Sequence, residues 1–164
     1  MTISADPTLS SLLRPLHQLL KDLDGAIAQV YADRGVDTVR PRFSMALIRL
    51  HRLGPMTIHD LAREVRVTHS AMSQTVTAMK RDGLVAAVPG TDARTMQVSL
   101  TEAGARLVPF LEDEWRATEA ALADLDAELP YPITQVARDM AAALARTPFK
   151  DRILHHLAAL EAKP

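Results

Sequence analysis

Residues 68–82 carry a stripe of small hydroxyl and amide side chains that ends in a cation. At helical spacing, Met72, Val76 and Met79 form one apolar face, and the opposite face holds Ser70, Ser73, Gln74, Thr77 and Arg81. Hydroxyl and amide groups can exchange hydrogen bonds with base edges, and an arginine can bind a phosphate. The alternative is a solvated helix face, but such faces are usually rich in Glu and Lys, and this one has neither before Lys80.

Two short predicted helices position this stripe. Thr57 and Asp60 form a T-x-x-D capping pair, which predicts that a helix begins at Ile58. Thr68 can cap a second helix that runs to about residue 82, and Gly83 suits its end. The stripe therefore lies on the second helix of a helix-turn-helix.

A hairpin is predicted directly after the helix pair. Residues 84–88 are short and apolar, and residues 96–100 alternate between apolar and polar side chains, which is typical of two strands. The turn between them carries one cation near its tip, Arg94. By itself this pattern indicates an ordinary hairpin loop. Beside the helix pair, it looks like a wing whose arginine reaches a minor groove.

The residues that follow the turn extend this pattern. From Asp92 through Arg94, Leu100 and Thr101 to Gly104, the chain fits D-x-R-x5-L-T-x-x-G. The segment resembles the winged helix-turn-helix of MarR-family transcriptional regulators, and the layout of the flanking helices extends the likeness to most of the chain. It is also similar to the regulator half of proteins in which such a domain is fused to an acetyltransferase, although no second domain is expected here.

The resemblance implies a set of DNA-binding residues. The second helix would enter the major groove and Arg94 the flanking minor groove, with Asp92 orienting Arg94. The implied set is His69, Ser70, Ser73, Gln74, Thr77, Arg81 and Arg94. The chain also departs from the family, which often has Gly where Arg66 stands and basic residues where Gln74, Ala87, Val88 and Thr95 stand. We therefore expect fewer phosphate contacts and a shallower salt dependence than in a more basic relative.

Long amphipathic segments flank this region. Residues 8–34 predict a helix with a broad apolar stripe: Leu9, Leu12, Leu13, Leu16, Leu20, Leu23, Ile27 and Val30. By resemblance, residues 8–34 and 102–164 are dimerisation helices, although a helix packed on its own domain is the alternative. The predicted fold class is mainly α with a small β-hairpin wing. It is a single MarR-like domain over residues 1–164, with the winged helix-turn-helix at 41–101.

The long helix predicted after Thr101 has an acidic side and an apolar side. Asp113 and Glu114 are expected on a solvated face, where they would serve solubility. Trp115, on the apolar side, could line a ligand cavity, an expectation that rests on the resemblance. The methionines at core spacings, Met96 among them, are expected to fill the core.

Composition excludes several classes of function. The 164 residues have a formal net charge of −1, but residues 41–101 carry 8 Lys or Arg and 4 Asp or Glu. The basic part of the chain therefore coincides with the predicted winged helix-turn-helix. The absence of cysteine excludes disulfides and thiol-based sensing. No enzyme motif is found, and the six histidines show no metal-ligand spacing. We expect no enzyme activity, no cofactor and no metal.

The predicted function is sequence-specific binding of a double-stranded DNA operator by a homodimer, with repression the expected direction and a small-molecule effector a further expected partner. A winged-helix protein-interaction module without DNA binding is the alternative, and the few basic residues around the wing favour it. No signal peptide or apolar run long enough to span a bilayer is found, so no membrane partner and a cytoplasmic location are expected.

Overall fold

The computed structural model describes residue 6 and residues 10–36, 39–90 and 95–162. The chain divides into two compact units, residues 1–116 and residues 117–164. Seven α-helices and one two-stranded hairpin are present in the described ranges. None of these helices is both long enough and apolar enough to cross a membrane.

The first unit begins with the helix α1, Arg14–Asp33, in which Pro15 occupies the first turn. The expected start at residue 8 is therefore too early, because a proline fits only where the N–H groups have no helical partner. A turn of 3₁₀ helix, Pro41–Phe43, leads into α2, Ser44–Leu53. The helix-turn-helix follows as α3, Ile58–Val65, and α4, His69–Arg81.

The wing is an antiparallel pair of strands, β1, Val85–Pro89, and β2, Met96–Leu100. Val85 pairs with Leu100, and Pro89 pairs with Met96. Met56, in the loop before α3, exchanges two backbone hydrogen bonds with Val98 of β2, at 3.2 and 2.8 Å. This bridge ties the hairpin to the start of the helix-turn-helix.

A single core holds the first unit together. Tyr31 of α1, Phe43 and Leu47 before and within α2, Leu61 of α3 and Met72 of α4 are all buried in it. Met96, which was expected in the core, is 57% exposed, and Leu53, an apolar residue of α2, is 54% exposed. Leu53 is the last residue of α2, and Met96 is the strand residue nearest the hairpin tip, so both lie where the elements leave the core.

The helix α5, Glu102–Ala127, continues through Pro109, and the boundary between the two units falls within it. Its buried face in the first unit consists of Gly104, Val108, Leu111 and Glu114. The expectation that Glu114 lies on a solvated face is wrong, because its carboxylate accepts a hydrogen bond inside the core.

The second unit adds α6, Ile133–Arg146, and α7, Phe149–Glu161. Pro148 precedes α7 directly. No side chain of α6 or α7, both of which are described throughout, is buried. Their exposed apolar residues are Ile133, Val136, Met140, Leu144, Phe149, Ile153, Leu154, Leu157 and Leu160.

Candidate nucleic-acid interface

Local hydrogen bonds fix the beginnings of both helices of the helix-turn-helix. The Thr57 hydroxyl accepts from the backbone N–H of Asp60 at 3.1 Å and donates to the Asp60 carboxylate at 2.7 Å. The Thr68 hydroxyl accepts from the backbone N–H of Ala71 at 3.2 Å. Each cap satisfies an N–H group that has no partner within its helix. The predicted starts at Ile58 and His69 are confirmed.

The turn between α3 and α4 depends on a strained residue. Arg66 has φ 59° and ψ 42°, in the left-handed region, and it is the only residue other than glycine with positive φ in the described ranges. The turn is closed by the backbone N–H of Val67, which donates to the carbonyl of Ala62 at 3.0 Å. The chain therefore makes the sharp turn that the family often makes with glycine, at some cost in free energy.

The core holds α4 with its polar stripe turned outward. Met72, Val76 and Met79 are buried. On the far side the exposed members of the predicted set follow one another at steps of four, three and four residues: Ser70, Gln74, Thr77 and Arg81. His69 is exposed at the first helical position, whereas Ser73 lies half-buried at the flank of the stripe.

Hydrogen bonds within the chain leave part of the stripe available to a ligand. The Thr77 hydroxyl donates to the carbonyl of Ser73 at 2.9 Å, so it can offer a ligand its oxygen as an acceptor. Nε of Arg81 contacts the Asp82 carboxylate at 3.2 Å. Among the described residues, the side chains of Ser70 and Gln74 have no intramolecular hydrogen-bond partner. These two side chains are the best placed to bond to a base edge.

Further imidazole and guanidinium groups surround the start of α4. The rings of His59, in the first turn of α3, and His69 lie 6.5 Å apart. Arg63 pairs with Asp60 at 3.2 Å, within α3. Arg66 makes no ion pair with any residue in the described ranges. The N-terminal end of α4 thus borders a surface that can carry positive charge.

The outermost described backbone contact of the wing joins Gly90 and Thr95. The N–H of Gly90 donates to the carbonyl of Thr95 at 2.7 Å, which closes the hairpin beyond the Pro89–Met96 pair. Arg94 and Asp92, predicted to contact DNA and to orient that contact, lie outside the described residues. Their roles remain predictions.

The wing is fastened to α5 by Thr101. Its hydroxyl donates to the carbonyl of Gly83 at 2.7 Å and accepts from the N–H of Gly104 at 3.1 Å. Its backbone N–H donates to the carbonyl of Leu84 at 3.0 Å. Thr101 therefore caps α5 and joins that helix to the end of α4.

Comparisons with known proteins agree with this geometry. Residues 44–95, from α2 to the end of the hairpin turn, match the sequence model of the MarR family. A MarR-family transcriptional regulator from Silicibacter pomeroyi DSS-3 is 27% identical, with a TM-score of 0.57 over 82% of this chain and 96% of that one. Residues 44–95 carry a MarR-family winged helix-turn-helix. The prediction made from the Asp92–Gly104 motif and the helix pair is confirmed at this level.

Two more distant solved structures share the fold. The S. aureus MepR structure, solved as a DNA complex, is 16% identical with a TM-score of 0.62, over 84% of this chain and 98% of that one. The organohalide-sensing transcriptional regulator RdhR, solved with 2,4-dichlorophenol bound, is 16% identical with a TM-score of 0.57, over 90% of this chain and 88% of that one. No curated protein sequence matches significantly.

Two of the MarR-motif residues have structural roles in this chain. Thr101 forms the joint described above, and Gly104 is buried where α5 passes the backbone of Leu84. Hence the second half of the motif fastens the wing, and the proposed DNA contact lies in its first half, at Arg94. No group of three or more His, Asp or Glu side chains in the described ranges could hold a metal ion.

One polar pair, Tyr31 and Glu114, joins α1 to α5 and was not predicted from the sequence. Helical spacing indicated the burial of both residues, because each lies on the same helix face as a core residue. Tyr31 lies four residues after Ile27, and Glu114 lies three residues after Leu111. Val30, which was assigned to the apolar stripe instead of Tyr31, is 46% exposed.

Proposed function

We propose that this protein is a sequence-specific DNA-binding transcriptional regulator that acts as a homodimer. The outward stripe of α4 is the observation that carries the proposal. A rigid core presents the exposed side chains of Ser70, Gln74 and Thr77, which can accept or donate hydrogen bonds, and no carboxylate stands in their row. A helix with such a face fits the major groove, where each base pair offers a distinct pattern of donors and acceptors.

Each residue of the stripe has a specific proposed role. Gln74 can form two hydrogen bonds with an adenine, and Ser70 can bond to a neighbouring base edge. Further contacts with DNA would come from three other side chains: His69 at the start of α4, Ser73 at its flank, and Thr77. Arg81, at the far end of the helix, would bind a phosphate.

The wing would make the second contact with DNA. Gly90 and Thr95 close the hairpin, and Arg94 directly precedes Thr95 in the sequence. Arg94 would enter the flanking minor groove, whose negative potential attracts arginine when the groove is narrow, and Asp92 would orient it.

Dimerisation would involve residues 8–34 and 102–164. In the first unit α1 exposes Leu16, Leu19 and Leu20, and in the second unit α6 and α7 bury no side chain at all. Apolar surface of this extent usually marks an interface, and a second copy with the same faces could cover it. Sedimentation equilibrium at micromolar concentration should give twice the chain mass, and a clean monomer would contradict the dimer.

Repression and release by a small molecule complete the proposal. A dimer seated on an operator would block transcription, and a ligand that prefers the unbound conformation would release it. The related structures solved with DNA and with 2,4-dichlorophenol support both ideas by analogy of fold. We expect the protein to act in the cytoplasm, without a membrane partner, a metal, a cofactor or enzyme activity.

A winged-helix protein-interaction module is the second candidate. Its support is the wing, where Ala87, Pro89, Thr95 and Met96 are exposed and none of them is basic. Gel shifts with the DNA upstream of the protein's own gene distinguish the two candidates. A regulator gives a discrete shifted band that survives excess random competitor DNA, whereas an interaction module gives none.

A further inference from the structure

Among the described residues of the first unit, α1 makes its buried contacts through its C-terminal end. Tyr31 is its one buried residue, Ile27 packs against the core, and the remainder of the helix is largely exposed. The N–H of Val36, just after the helix, donates to the carbonyl of Tyr31 at 2.8 Å. The direction in which α1 leaves the unit therefore depends on how Tyr31 is held.

One hydrogen bond and one ring contact hold Tyr31 against α5. Its hydroxyl donates to Oε2 of Glu114 at 2.8 Å, across 83 residues of sequence. Its ring meets Phe110 edge to face, with centroids 5.2 Å apart. Burial is the main cause that raises the pKa of the Tyr31 phenol, and the hydrogen bond to Glu114 adds to the shift. Tyr31 consequently stays protonated and remains the donor.

Ser44, the first residue of α2, completes the cluster. Its side chain is buried, and its hydroxyl makes no hydrogen bond with a described residue. It is close enough to Tyr31 to act on the pKa of the phenol in the opposite direction. Polar groups from α1, α2 and α5 therefore meet in a core that also contains Met72 and Met79 of α4.

Stability alone does not account for this arrangement. A buried polar pair can often be replaced by apolar side chains of similar shape without loss of stability. A hydrogen bond differs from apolar packing because it is directional, and it weakens steeply when the donor and acceptor are misaligned. The Tyr31–Glu114 bond thus fixes an orientation that packing alone would specify less well.

We propose that Tyr31 and Glu114 are positioning residues that set the angle of α1 on the first unit. Through this angle they would set the separation of the two α4 helices in the dimer. The inference rests on the proposed function, because it assumes that α1 contributes to dimerisation. A fixed separation would select operators whose half-sites lie one helical turn, or a multiple of it, apart.

The test uses three variants of the full-length protein. Tyr31→Phe removes the donor and keeps the ring, and Glu114→Gln keeps an acceptor for the phenol. The double variant Tyr31→Phe/Glu114→Met makes the pair apolar, so that no buried carboxylate is left without its donor. Ser44→Ala is the matched control, because it removes a hydroxyl from the same cluster and leaves the Tyr31–Glu114 hydrogen bond in place.

The orientation of α1 can be measured without DNA. The natural chain has no cysteine, so spin labels at Lys21→Cys in α1 and Lys80→Cys in α4 report one distance within each subunit when labelled chains are diluted with unlabelled ones. Pulsed dipolar spectroscopy should give one dominant distance for wild type, Glu114→Gln and Ser44→Ala. The double variant should lose that dominant distance while its melting temperature stays near wild type.

The second readout is the spacing preference on DNA. Wild type should discriminate between half-site spacings, and Tyr31→Phe and the double variant should lose roughly tenfold of that discrimination, within the usual range of coupling between sites. The proposal is overturned if Tyr31→Phe or the double variant keeps both the wild-type distance and the wild-type spacing preference. If wild type binds no DNA, the proposed function fails, and the distance measurement still decides whether Tyr31 and Glu114 position α1.

Discussion

The carbonyl oxygen of Leu84 lies 2.1 Å from the position that a Cβ atom would occupy at Gly104. No side chain fits there unless the backbone moves, and the same oxygen accepts the N–H of Thr101 at 3.0 Å. Because α5 approaches the backbone of Leu84 so closely, position 104 requires a glycine. This contact determines how α5 joins the end of α4.

Gly104→Ala should destabilise the protein by about 1–3 kcal/mol, the usual cost of overpacking a core. Chemical denaturation measures the change. Gly25→Ala is the control, because Gly25 lies within α1 with nothing within 4 Å of its Cβ position. Alanine there should stabilise the helix by about 0.5–1 kcal/mol. A Gly104→Ala variant as stable as wild type would contradict the proposed close contact.

Arg66→Gly should make the protein more stable than wild type, by up to about 1 kcal/mol. Glycine relieves the left-handed strain at this turn, and the greater freedom of the unfolded chain offsets part of the gain. Arg66→Ala removes the same charge but keeps a Cβ atom, so it should bring no gain. Urea unfolding of both variants separates the backbone effect from the charge effect. Equal stability of the two variants would count against strain at Arg66.

The ion pair between Arg52 and Glu112 predicts a dependence of stability on pH. Arg52 Nε lies 2.7 Å from Glu112 Oε1, and this hydrogen bond is the main cause that lowers the pKa of Glu112 below its ordinary value of 4.5. A lowered pKa in the folded state adds stability above the unfolded pKa, and this stability is lost as the pH falls through the folded value.

Arg52→Ala should therefore lower the melting temperature slightly at pH 7, and the difference from wild type should disappear in strongly acidic buffer. The effect is small because the Arg52 side chain is 61% exposed. Arg106→Ala is the control, since Arg106 pairs with Glu102 within α5 and joins no second element. If the effect of Arg52→Ala were the same at both pH values, the pair would not be its cause.

Local signals in the sequence predicted most of the helix-turn-helix. The caps at Thr57 and Thr68 and the helix end at Gly83 are confirmed, because each depends on residues within a few positions of itself. The buried stripe of α4 was predicted for the same reason, since its helical period lies within thirteen residues.

Features that depend on distant partners were not predicted. Glu114 stands among acidic neighbours, and the partner that donates to its buried carboxylate, Tyr31, is 83 residues away. Leu53 and Met96 fit an apolar pattern, yet their elements leave the core at those positions, and a local pattern cannot locate the edge of a core.

The wing provides a fourth prediction. Arg94→Ala should leave the melting temperature unchanged, weaken operator binding at least several-fold and remove about one unit from the salt slope. Asp92→Ala should weaken binding less, because it would act by orienting Arg94. Fluorescence anisotropy at several salt concentrations measures both quantities. If Arg94→Ala bound operator as tightly as wild type, the wing would be only a hairpin, and the interaction module would become the better account.

The most direct test of the central claim is binding-site selection from random DNA by wild type, Gln74→Ala and Arg81→Ala. Wild type should select a symmetric sequence. Gln74→Ala should relax preference at one position per half-site, by about 1–3 kcal/mol of discrimination. Arg81→Ala should keep the selected sequence and bind it more weakly at every position, with a shallower salt slope. A wild-type protein that selects no sequence, or a Gln74→Ala profile identical to wild type, would contradict base reading by α4.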